Sequence, residues 1–272
     1  MKRLVINIFI FILILGINTS ISFAQLGKFN NNENKEVGFV SDSKIIHTKL
    51  QINDSIINIY VPDNINYLTK ILKSELQILY HKFNNNFYEI PSFESEIRLL
   101  EESEFFRITK APLWTNALYV NGNILIPVNN EVLNNQEGLK RTVRHEFSHS
   151  LINALTNGKC PGWLDEGIAQ WAEGDEHIEL KEMFDDYIAK NNLISFEKLQ
   201  KGFTGLELET VAAAYAQSLY ASKLLIKLSG KEKISDFFKN LKSNKKHKFK
   251  DSFGFDENDL KFKLEGLLKK EI

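Results

Sequence analysis

His145-Glu146-Phe147-Ser148-His149, within the segment Gln136 to Asn157, is the stretch on which the reading of this chain turns. Leu139, Val143, Phe147, Ile152 and Leu155 recur there as a buried set, no proline interrupts it, and Asn157-Gly158 supplies a helix stop. In a helix, residues four apart lie one turn apart on one face, so the imidazoles of His145 and His149 can converge on one ion. Neutral imidazole nitrogens bind zinc at about 2.0 to 2.1 Å, which leaves Glu146, beside the pair, free to act as a base instead of a ligand. Taken alone, the pattern equally fits a helix whose histidines pair with carboxylates along their own face.

The next segment moves the balance. Pro161-Gly162-Trp163-Leu164-Asp165-Glu166-Gly167-Ile168-Ala169 places Glu166 17 residues after His149, beyond a Gly158 to Gly162 turn that lets a second helix return beside the first. Two histidines and one glutamate make the three-ligand set of an open, hydrolytic zinc site. These two blocks resemble the H-E-x-x-H and W-L-N/D-E-G-x-A pair of gluzincin metallopeptidases, the zinc aminopeptidases and the smaller bacterial peptidase MA-like proteins. A third block, Ala214-Tyr215-Ala216-Gln217-Ser218 followed by Leu228-Ser229-Gly230, is similar to their downstream helix. The resemblance spans Gln136 to Gly230. It implies an α+β zincin-like domain, one Zn²⁺ per chain on His145, His149 and Glu166, Glu146 as general base and then acid, and Tyr215 as donor to the oxyanion of the tetrahedral intermediate. Tyr220 competes for that last role.

The match has limits. The aminopeptidases carry G-x-M-E-N on the strand before the zinc helix, and its glutamate holds the substrate's free amine; here that region reads Asn121-Gly122-Asn123-Ile124-Leu125-Ile126-Pro127. Their large amino-terminal β-domain has no counterpart either. Zinc-dependent endopeptidase activity on a peptide or protein is therefore the expectation. An exopeptidase with an unidentified amine anchor and a non-catalytic peptide-binding module on the same fold are the alternatives. The edge at which an extended substrate would pair is assigned to Leu118 to Pro127. Asp165 and Glu173, close to the third ligand, can orient a histidine through its second nitrogen or can be ordinary solvated carboxylates.

Outward from the zinc blocks, Asn53-Asp54 within Ile45 to Val61 and Asn121-Gly122 between Ala117 and Val128 read as hairpin turns. Leu68 to Phe83 has helical spacing, Glu96 to Leu100 reads as a strand and Glu102 to Ile108 as a short helix. The fold class is thus α+β, a small mixed sheet with an active-site helix and then a mostly helical half. Residues 39–135 form the α/β half and 136–272 the helical half of one domain, with the site between them.

At the amino end, Lys2-Arg3, the apolar run Leu4 to Leu15 and Ser22-Phe23-Ala24 read as a signal peptide over 1–24 cleaved after Ala24, followed by an Asn-rich flexible leader over 25–38. The expected location is periplasmic or secreted, with no stable membrane insertion after cleavage. Thirty-four Lys and Arg against 35 Asp and Glu give no basic footprint for nucleic acid. The single Cys160 forms no intrachain disulfide, so any metal site must use His and carboxylates. His47, His81, His177 and His247 lack ligand spacing. Trp114, Trp163 and Trp171 read as packing residues, with Trp163 able to wall the cleft. The lysines between Lys239 and Lys250 read as a solvated connection before a helix capped by Asp256. Oligomeric state leaves no mark in the sequence.

Overall fold

The computed structural model describes residues 10–13, 44–113, 115–174, 178–200, 202–203, 206, 208–243 and 247–271. The expected 25–38 leader and cleavage after Ala24, together with Trp114, His177, Lys245 and Lys246, lie outside the described residues.

Local turn chemistry builds the first half. β2 (Ile45–Ile52) and β3 (Ser55–Pro62) form an antiparallel hairpin through Asn53-Asp54, with Asn53 at φ 50°. β5 (Thr115–Val120) and β6 (Asn123–Val128) form a second, whose two turn residues Asn121 and Gly122 both take positive φ (51° and 85°). That is the turn whose twist matches a two-residue hairpin, and asparagine and glycine are the residues that tolerate it. β4 (Glu94–Glu101) pairs parallel with both β3 and β6. Parallel neighbours need crossovers, supplied by α1 (Leu68–Asn86) between β3 and β4, and by α2 (Glu102–Thr109) with β5 between β4 and β6. The resulting order is β5-β6-β4-β3-β2, and β1 (Ile10–Leu13), from within the apolar run Leu4 to Leu15, pairs parallel on the outer side of β5.

Alternation along the strands gives the sheet two unequal faces. Ile97, Leu99, Ala117, Tyr119, Ile124 and Ile126 point into the main core shared with the helices. Leu118 and Leu125 point the other way and bury Phe105 of α2.

The second half is helical: α3 (Asn130–Asn134), α4 (Gln136–Thr156), α5 (Gly162–Glu173), α6 (Ile178–Ile188), α7 (Phe196–Leu199), α8 (Leu208–Lys242, broken at Gly230), α9 (Phe249–Phe253) and α10 (Glu257–Glu271). The Asn135 side chain accepts from the Gly138 N–H at the start of α4, and Asn157, at φ 55°, ends it in the left-handed conformation. Asp256 and Asp259 exchange side-chain to backbone hydrogen bonds of 3.0 Å at the start of α10, as its capping residue predicts. No described helix is long and apolar enough to cross a membrane.

Two expectations need correction. β6 lies between β4 and β5 and has no free edge, so of Leu118 to Pro127 only the β5 residues border the outside of the hairpin. Trp163 is fully buried against Phe196 and Phe249, at ring separations of 4.5 and 5.9 Å, and its Nε1–H donates to Glu257, so it packs the helical half and walls no cleft. The other described histidines behave structurally: His47 stacks on Tyr60 and bonds Asn58, His81 meets Tyr80 edge-on, and His247 bonds Ser252.

Candidate metal centre

α4 turns the face carrying His145 and His149 into the molecule, and α5 returns beside it through the Asn157 to Pro161 turn. The return brings Glu166 to both imidazoles. His145 Nε2 lies 3.5 Å and His149 Nε2 4.0 Å from Glu166 Oε2, and one ligand atom from each of the three residues lies within 4.8 Å of the others. All three side chains are buried.

The opposite ring nitrogens are held as well. His149 Nδ1 is 2.9 Å from Asp165 Oδ1, and His145 Nδ1 is 3.4 Å from Glu173 Oε2. Arg141, one turn before His145 on α4, grips Glu173 Oε1 through Nε (2.9 Å) and Nη2 (2.8 Å). Asp165 and Glu173 are thus the imidazole-orienting carboxylates, and not solvated ones. A carboxylate thus stands behind each ring, in hydrogen-bond contact with His149 and 3.4 Å from His145, with Nε2 presented forward.

Two imidazoles and a carboxylate are the ligand chemistry of hydrolytic zinc, and ligands about 2.0 to 2.1 Å from one tetrahedral ion stand about 3.4 Å apart, close to the spacings found here. Among the described residues neither Glu166 oxygen has a hydrogen-bond partner, which buried carboxylates require unless something else satisfies them. The charge agrees. Burial opposes protonation of His145, but the Glu166 and Glu173 carboxylates outweigh it and push its pKa up to about 10, so the pocket draws positive charge. The residues fit the ion.

Glu146 is buried beside the ligands, and its Oε1 has no hydrogen-bond partner among the described residues. Burial first, and then the Glu166 and Glu173 charges, raise its carboxyl to about 7 against the opposing pull of the two histidines. Tyr215, on α8, is buried edge-on against Phe203 at 4.8 Å, with no hydrogen-bond partner for its hydroxyl among the described residues. Burial and the charges of Glu166 and Glu146 raise its pKa well above the ordinary tyrosine value, so it stays a phenol and a donor. Tyr220 stacks on Phe184 instead, at 5.5 Å. The sheet also contributes: the ring of Tyr119 on β5 lies 5.7 Å from that of His149. Neither Tyr119 nor Arg141 was singled out by sequence; an arginine in register with both histidines, at i−4 and i−8, was the available signal for the second.

Residues 108–270 match the family model of the Peptidase MA superfamily, and the chain belongs to that superfamily. No curated protein matches it significantly. Its fold is that of zincin-type peptidase domains. Legionella pneumophila aminopeptidase A, crystallised with aspartic acid, superposes with a TM-score of 0.50 at 18% identity over 80% of this chain and 27% of the other. A variant of an M1 zinc metallopeptidase from Deinococcus radiodurans, bound to a Tyr-Ser-Ala substrate, gives a TM-score of 0.50 at 14% identity over 81% of this chain and 51% of the other. The chain therefore corresponds to between about a quarter and a half of the length of these neighbours.

Proposed function

We propose that this protein is a zinc-dependent endopeptidase, exported and freed of its leader, with His145, His149 and Glu166 as ligands of one ion. The observation that carries the reading is the convergence of three buried ligand atoms whose imidazoles are held from behind by Glu173 and Asp165. When bound, zinc supplies a Lewis acid that lowers the pKa of coordinated water from about 15.7 to about 7.

The chain's own residues do the rest. The Glu146 carboxylate takes a proton from the attacking water as its oxygen bonds to the scissile carbonyl carbon. The same carboxyl returns that proton to the amide nitrogen as the C–N bond breaks. The Tyr215 hydroxyl donates to the carbonyl oxygen as it becomes negative. Tyr215→Phe should retain zinc and lower kcat about 100-fold, since loss of one oxyanion donor costs that order; unchanged turnover of a peptide substrate would remove Tyr215 from the mechanism.

The endopeptidase preference rests on the missing amine-anchor glutamate and on β5, whose outer side accepts a strand: in the described chain that strand is β1, and leader cleavage would remove it. Peptides with blocked and free amino termini, cleaved side by side, separate the readings; strict dependence on the free amine would favour an exopeptidase. The metal reading is tested by zinc per chain on purified protein beside His149→Ala and Glu166→Ala. About one equivalent in the wild type and clear loss in both variants is expected. Little zinc in folded wild type would leave a peptide-binding module in its place.

A further inference from the structure

We infer that Arg141 is a positioning residue of the metal centre, one that fixes the ligand His145 through Glu173. The inference rests on the zinc-site reading above and goes beyond it. The geometry is a relay running inward from solvent. The Arg141 side chain is 27% exposed, whereas that of Glu173 is 1% exposed and that of His145 fully buried. Nε and Nη2 of Arg141 converge on one carboxylate oxygen, Oε1, while the other, Oε2, faces His145 Nδ1. A carboxylate on a single hydrogen bond can rotate about its last torsion. Two guanidinium N–H groups on Oε1 resist that rotation more strongly than one, so Arg141 holds the carboxylate with Oε2 towards the His145 ring.

The placement in the fold supports this role. Arg141, His145 and His149 stand at successive turns on one face of α4, and Glu173 is the last residue of α5, the helix that also supplies Glu166. The contact from Arg141 to Glu173 therefore fixes the far end of α5 against α4 while Asp165 fixes the near end through His149. The two ligand-bearing helices are tied on both sides of Glu166, behind the metal ligands and away from the reacting atoms. A plain helix-to-helix ion pair would predict a stability effect alone. A positioning residue predicts a change in metal affinity that depends on Glu173.

The test is a double-mutant cycle read as the zinc dissociation constant, measured by chelator competition on the full chain. Arg141→Gln and Glu173→Gln should each weaken zinc binding about 10- to 100-fold, the range that loss of such supporting partners produces. The double variant should bind no more weakly than the worse single one. Arg141→Lys, which keeps a charge beside the buried carboxylate but loses the fork, should also weaken binding at least about tenfold, and serves if Arg141→Gln does not fold. Wild-type zinc affinity in folded Arg141→Gln or Arg141→Lys, or strictly additive losses in the double variant, would overturn the role of Arg141 while leaving the metal site standing. If the wild type itself failed to bind zinc, or bound it no better than His149→Ala, the site reading would fall and this inference with it.

Discussion

Replacing Glu146 by glutamine should leave about one zinc per chain in place and lower kcat about 10³- to 10⁴-fold, the upper part of the range for loss of a general acid–base group. Glutamine matches glutamate in shape and can occupy the same buried position, so the packing around it is conserved. What it lacks is the ability to accept and return a proton. Metal content should hold because the three ligand atoms belong to His145, His149 and Glu166. kcat and kcat/KM should fall together, because proton transfer belongs to the transition state and not to substrate binding. The metal-free variant should melt no lower than the metal-free wild type, since the substitution removes a buried carboxylate already raised by the neighbouring Glu166 and Glu173 charges. Elemental mass spectrometry, peptide turnover and a thermal melt on one preparation check all three statements. Wild-type turnover at matched zinc loading would sink Glu146 as the base. Loss of the metal would place it among the ligands.

The parts of this molecule that are legible from sequence are those whose cause is local. The Asn53-Asp54 and Asn121-Gly122 turns carry their own backbone preference, and each lies where the chain reverses. The face of α4 that bears both histidines follows from helical periodicity alone, and the return of Glu166 from a short glycine-containing turn. Strand order is not local. Nothing within Leu118 to Pro127 says which strand of the hairpin β4 will join, so the substrate edge was drawn too wide, and β6 proved to be interior. The partners behind the ligands belong to the same class. Asp165 and Glu173, on the same helix as Glu166, could be suspected, but Arg141 stands 32 positions from Glu173 and meets it only through the way α4 and α5 pack. Trp163 illustrates the opposite error. Proximity to a ligand in sequence suggested the cleft, whereas its indole is buried among Phe196, Phe249 and Glu257.

The packing between α5 and α8 sets the second large effect. Gly167 follows the ligand Glu166, and on helix propensity alone glycine in a helix interior is about 0.5 to 1 kcal/mol worse than alanine. Its neighbours explain why propensity loses. A Cβ built at Gly167 would sit 2.1 Å from the Ser218 carbonyl oxygen and 2.1 Å from Ser222 Oγ, distances that no side-chain rotation relieves on the backbone side. Gly167→Val must therefore push α5 and α8 apart, and we expect a loss of about 3 kcal/mol in the unfolding free energy of the metal-free protein, the upper end for overpacking. The damage should not stop at stability. The displaced segment of α5 carries Glu166 and that of α8 carries Tyr215, three residues before Ser218, so zinc affinity and turnover should fall in whatever fraction remains folded. Gly266 in α10 is the control, because a Cβ there meets nothing within 4 Å and its φ is not in the left-handed region. Gly266→Ala should stabilise by about 0.5 to 1 kcal/mol through helix propensity. Urea denaturation of both variants reads opposite signs from the same residue type. If Gly167→Val matched the wild type in stability, α5 and α8 would not approach as closely as described, and Glu166 and Tyr215 would lose the contact that brings them to one site.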